Sequence, residues 1–162
     1  MRRHRLLATA AITVVLGIVP AVAAQAVDVI IGTNAGEHLN GTPGADQIRA
    51  LGGDDSVTAR RGDDIVGGGT GADVLYGMEG KDVIRAGPGN DVVYAGLGND
   101  HAFDGTGSDV VNLGPGNDTV GMAFPNRRDV VYCGTGMDTV EYDGAQDPED
   151  VLHNCERVFV FD

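Results

Sequence analysis

The sequence predicts an all-β fold, a parallel solenoid of very short strands joined by glycine turns. Consecutive segments "GGTGADVLY" (68–76), "GMEGKDVIR" (77–85) and "AGPGNDVVY" (86–94) share Gly at the fourth place, Asp at the sixth and an aliphatic residue at the eighth. The frame runs unbroken from Gly32 to Gly121, skips Met122 and Ala123, and resumes at Phe124 and Cys133, giving twelve blocks of nine residues. A fixed period of this length marks a repeat architecture in which each unit buries its core face only by stacking on its neighbours.

The repeats do not start at the first residue. "MRRHR" is a basic start, an apolar stretch follows, and Ala24–Gln25–Ala26 has the small-x-small form of a cleavage site. Residues 1–26 are therefore expected to be a secretory signal peptide removed after Ala26. The apolar run is nearly long enough for a membrane anchor, but Pro20 and the alanines favour processing. Arg2 and Arg3 fit twin-arginine export weakly, so the general route is expected. Without those residues, eight basic side chains face 24 acidic ones, a net charge of −16. That balance excludes nucleic acid, which needs Lys and Arg against its phosphates, and anionic membrane surfaces.

Residues 27–141 form the expected roll, and each place in the block has a physical role. Glycines supply positive φ and tight turns at places one to six. Places seven to nine, rich in Val, Ile and Tyr, suit a short strand whose middle residue faces inward. Two strands and two turns close a coil of 18 residues, so twelve blocks make six coils. The sixth place holds Glu37, Asp46, Asp55, Asp64, Asp73, Asp82, Asp91, Asp100, Asp109, Asp118, Asp129 and Asp138. Stacking sets these acids above one another at about 4.8 Å, where like charges repel and a cation is required between them. Calcium suits oxygen-only turns, taking six to eight carboxylate and carbonyl oxygens in adaptable geometry. Magnesium is too strict in geometry, and zinc finds no thiolate or imidazole in these turns. One edge would use Asp46, Asp64, Asp82, Asp100 and Asp118, the other Asp55, Asp73, Asp91, Asp109 and Asp129, with a ceiling of about ten ions.

"GGTGADVLY", "AGPGNDVVY" and "LGPGNDTVG" resemble the GGxGxDxUx nonapeptides of the RTX, or hemolysin-type calcium-binding, repeat family, closely over residues 41–121 and more loosely over 32–40 and 124–141. The resemblance implies a right-handed parallel β-roll that folds when calcium binds, with the sixth-place aspartates and turn carbonyls as ligands. RTX toxins and proteases lack an N-terminal signal peptide, so this chain is more similar to small stand-alone calcium-binding proteins exported by high-GC bacteria. Its ending, from Cys133 to "NCERV", is similar to theirs. Two departures bear on the ligands. Arg60 and Arg61 precede Asp64, and Arg127 and Arg128 precede Asp129, and guanidinium groups there repel a cation. Asp73, Asp91, Asp100, Asp109 and Asp118 sit in the cleanest turns.

Three features lie outside the metal pattern. Val74, Tyr76, Val92, Tyr94, Val130 and Tyr132 form an outward stripe that offers a surface for a protein, a glycan or a second copy, which makes adhesion or matrix assembly the alternative function. Strand propensity alone also selects Val and Tyr. Residues 142–162 end in the strand-like "ERVFVFD" and are expected to cap the last coil, fastened by a Cys133–Cys155 disulfide suited to an oxidising compartment. For catalysis, His38, His101 and His153 occupy unrelated places, and Ser56 and Ser108 lack a nucleophile elbow. The pairs Asp54–Asp55 and Asp63–Asp64 look like catalytic carboxylates, but the repeat accounts for Asp55 and Asp64. No enzyme is expected.

Overall fold

The computed structural model describes residues 27–123 and 127–161, so the expected signal peptide, residues 1–26, lies outside the described residues. The chain winds into two facing sheets of parallel strands. The first sheet contains, in order, Asp28–Ile31, Asp46–Gly52, Ile65–Thr70, Val83–Pro88, His101–Thr106, Thr119–Met122, Thr139–Asp143 and Arg157–Phe161. The second contains His38–Asn40, Ser56–Arg61, Val74–Glu79, Val92–Leu97, Val110–Asn112, Val130–Tyr132 and Val151–His153. Two-residue strands, Pro115–Gly116 and Thr135–Gly136, pair beside them.

The register follows directly from the repeat. Val57 lies beside Leu75, Leu75 beside Val93 and Val93 beside Val111, each 18 residues on. Across the insertion the offset becomes 20, as Val111 meets Val131 and Val120 meets Val140. Met122 and Ala123 are therefore absorbed locally without shifting the inward residues off their column.

The strands are longer than the expected triads. Val74–Glu79, for example, runs through places seven to nine and on into places one to three of the next block. First-place residues consequently point inward as well: Ala50, Ala59, Ala86, Ala95, Leu113 and Cys133 are fully buried beside the eighth-place column of Ile48, Val57, Val66, Leu75, Ile84, Val93, Val111, Val120, Val131 and Val140. Small side chains suit the first place because it lies close to the acid of its own block. A Cβ added at Gly68 or Gly77 would come within 2.5 Å of the Asp73 or Asp82 Oδ2.

Among the described residues, three strands lie beyond the twelve blocks. Asp28–Ile31 precedes them, and the tail supplies Val151–His153 and Arg157–Phe161, so the tail extends each sheet by one in-register strand. Each of the three keeps the acid-x-aliphatic-x kernel of the repeat (Asp28 to Ile31, Asp150 to His153, Glu156 to Phe159) after losing its glycines. That kernel is enough for the strand to dock on an existing sheet.

Cys133 and Cys155 form the disulfide, with Cα atoms 5.2 Å apart and Cys133 buried in the inward column. Closing a loop across 22 residues of separation stabilises by about 3 kcal/mol through restriction of the unfolded chain. Reduction is expected to lower stability by that amount and to release the tail strands first. Hydrogen exchange of residues 151–161 with and without reductant checks this, and unchanged protection of the tail would contradict it.

Candidate metal centre

The turns place the sixth-place acids in two columns, one along each edge of the roll. Along one edge stand Glu37, Asp55, Asp73, Asp91, Asp109, Asp129 and Asp150. Along the other stand Asp46, Asp64, Asp82, Asp100, Asp118, Asp138 and Glu156. Within each column the backbone N–H of one acid donates to a carboxylate oxygen of the acid one coil further on, at 2.7–2.9 Å. Asp46, at the start of its column, accepts instead from the Thr42 N–H at 2.6 Å.

All eleven aspartates expected as ligands, Asp46 to Asp138, are buried. Asp150 and Glu156 join the columns although the block count ends before them. Their signal in the sequence is the acid two residues ahead of an aliphatic that falls in register with the inward column, Leu152 beside Val131 or Val158 beside Val140.

One oxygen of each aspartate is thus committed to the backbone. The other is not: Oδ2 of Asp55, Asp64, Asp73, Asp82, Asp91, Asp100, Asp109, Asp118 and Asp138 is buried without a hydrogen-bond partner. A native fold pairs nearly all buried polar atoms, so an orphan repeated at the same place in nine of the eleven aspartates points to a ligand rather than to imperfect packing. The donor set is carboxylate oxygen beside turn backbone, the chemistry that a hard cation takes.

The electrostatics agree. Burial pushes the carboxyls of Asp64, Asp91 and Asp129 up to about 6, and those of Asp82, Asp109 and Asp118 up to about 7. The N–H from the neighbouring coil pulls them back down in part, and nearby carboxylates add repulsion. Asp73, Asp100, Asp138 and Asp150 are raised by burial in the same way. Carboxylates so placed take up a proton or a cation much more readily than carboxylates in water.

A second ladder runs outside the first. Fifth-place side chains accept from the fifth-place N–H one coil further on: Asp54 from Ala72, Asp63 from Lys81, Asn90 from Ser108, Asn99 from Asn117 and Asn117 from Met137, at 2.8–2.9 Å. This gives Asp54 and Asp63 a structural role and removes the resemblance of Asp54–Asp55 and Asp63–Asp64 to catalytic pairs. The sequence signal was the run of Asp and Asn at place five. Arg61 turns outward to Glu79, at 3.0 Å and exposed, and Arg127 lines an outer cleft with Gly89, Asn90, Thr106 and Gly107.

The Val/Tyr stripe lies on the second sheet, where Val74, Val92 and Val130 fall on one line and Tyr76, Tyr94 and Tyr132 on the next. Tyr76 and Tyr94 stack with ring centroids 5.1 Å apart, Tyr132 stacks on His153 at 4.6 Å, and Asn112 separates the two pairs. Much of the aromatic area therefore contacts other rings of the same stripe.

Comparison with known proteins agrees with the geometry. The family model described as RTX calcium-binding nonapeptide repeat (4 copies) matches residues 31–66, 67–102 and 86–120. No curated protein matches the chain.

Proposed function

Because the chain belongs to the RTX calcium-binding nonapeptide repeat family, we propose that its two acid columns hold calcium between successive coils and that this binding drives folding. The aspartates from Asp46 to Asp138, with Asp150 and Glu156, would hold the ions through the oxygens that the backbone ladder leaves free, with turn carbonyls completing the shell. The row of buried, unpartnered Oδ2 atoms carries this reading.

Coupling to folding follows from charge. Stacked carboxylates repel, the glycine-rich turns are costly to order, and a site built from two coils exists only after they stack. Binding free energy then becomes folding free energy. We further propose that residues 1–26 direct export from a bacterial cell, so that the roll forms outside, where calcium is plentiful.

Far-UV circular dichroism of the protein during a calcium titration, with magnesium as control, tests the reading. Strand signal should rise cooperatively with calcium and stay low with magnesium. A chain fully folded after exhaustive chelation, and indifferent to calcium, would overturn it.

A further inference from the structure

We propose that Asp104, Asp109 and Asp129 form a three-carboxylate calcium site, tighter than the other turns, in which Asp104 is a ligand that the nonapeptide pattern does not supply. The proposal rests on the calcium-binding reading above and adds one residue and a rank order of affinity to it.

Asp104 stands at the first place of its block, where the other eleven blocks carry Gly, Ala, Leu, Phe or Cys. It is completely buried in the inward column, between Ala86 and Met122. First-place side chains lie next to the acid of their own block, as the close approach of a Cβ at Gly68 or Gly77 to Asp73 or Asp82 shows. The same geometry directs Asp104 toward Asp109.

Its two oxygens have different surroundings. Oδ1 accepts from the Gly105 N–H and from the Ala123 N–H, both at 2.7 Å. Ala123 is the second residue of the insertion, so the break in the repeat supplies the donor that orients this side chain. Oδ2 is buried with no partner, and so is Oδ2 of Asp109. One carboxylate oxygen from each of Asp104, Asp109 and Asp129 lies within 4.8 Å of the other two. Two oxygens on one calcium are separated by at most about 5 Å, twice the usual contact of 2.3–2.6 Å. All three therefore fit a single coordination shell.

A carboxylate in an apolar column, with one oxygen unmet and two acids facing it, is destabilising unless a cation compensates. Among the described residues, Asp104, Asp109 and Asp129 are the one group of three acids whose oxygens come this close together. Calcium affinity rises with ligand charge, which ranks the site first.

Calorimetric calcium titration of wild-type protein, Asp104→Asn, Asp104→Ala and the control Asp63→Asn tests this. Asn keeps the Oδ1 acceptor and removes the charge, whereas Ala restores the residue found in the same column at positions 50 and 86. Both Asp104 variants should lose the tightest ion or weaken it by at least about tenfold, while forming the roll in saturating calcium by circular dichroism. The Asp63→Asn control, which removes an acid from the fifth-place ladder and keeps the amide acceptor that Asn90, Asn99 and Asn117 supply there, should keep it. Asp104 variants with the wild-type tightest class would overturn the site and leave the calcium reading standing. So would an Asp104→Ala chain that cannot form the roll in saturating calcium, since Asp104 would then be structural. A wild-type chain that takes up no calcium would overturn both.

Discussion

Metal-stripped protein is expected to gain strand structure as the pH falls and to lose it as the pH rises through the range of about 6 to 7 where the column aspartates titrate. The sign follows from linkage. Unfolded, these carboxyls titrate near 3.9; folded, burial raises them, so between about pH 4 and 7 the folded chain binds more protons than the unfolded one. Their stabilising effect is fully present below the unfolded value and disappears as pH passes the folded value. In saturating calcium the slope should reverse, because protons and the ion compete for the same oxygens. Far-UV strand signal of the metal-free chain and urea midpoints of the calcium-loaded one, both from about pH 4 to 8, measure the two slopes. Asp82→Asn and Asp118→Asn, which resemble the protonated side chain and keep the Oδ1 acceptor, should flatten the metal-free slope. A metal-free roll that gains stability toward pH 8 would show that the columns do not strain the fold.

The columns were legible because stacking preserves period: residues 18 apart in sequence become neighbours, so Asp55, Asp73 and Asp91 align in the fold as in the text. The insertion was legible for the same reason. What escaped was set by contacts between coils. The fifth-place ladder needs the N–H of the following coil, and an Asp–Asp or Gly-Asn pair gives no hint of that direction. The inward first place was hidden by composition, since Gly and Ala there read as turn residues until the strand is seen to continue through them. The tail's strand was legible in "ERVFVFD", but its acids escaped because Asp150 and Glu156 have lost the glycines of a block while keeping its acid-x-aliphatic kernel. Asp104 was visible in the block count but not as a site, because its meaning depends on the Ala123 N–H and on the nearness of Asp129.

Gly107→Ala should be far more damaging than Gly67→Ala, although both add a single methyl group to a glycine of the roll. A Cβ at Gly107 would lie 1.4 Å from the Gly89 carbonyl oxygen, and one at Gly89 or Gly98 would lie 1.7 or 1.6 Å from the oxygen of Gly71 or Gly80. At this fourth place each turn rests directly on the backbone of the turn before it. A methyl group must force two coils apart across hydrogen bonds that are already at their proper length, and the left-handed φ of +147° adds further strain. Positive φ itself is carried by other residues at the second place, where Leu51, Arg60 and Met78 hold +81°, +89° and +85° with their side chains in place. The conformation alone is therefore tolerable, at about 1–3 kcal/mol each. Close approach is the stricter demand, and Gly107→Ala should cost more than about 4 kcal/mol, in the range that marks a broken structural requirement. Gly67, at an outward ninth place between Arg49 and Arg85, has nothing nearer its missing Cβ than the Ile48 oxygen at 3.9 Å. Alanine there should stabilise by about 0.4–1 kcal/mol, because it restricts the unfolded chain at no cost to the folded one. Urea midpoints of the two variants in saturating calcium decide the matter. Equal losses would mean that the glycines of the roll serve conformational freedom alone. Opposite signs would mean that the fourth-place glycine is kept for the distance between coils, the same distance that sets the spacing of the carboxylates.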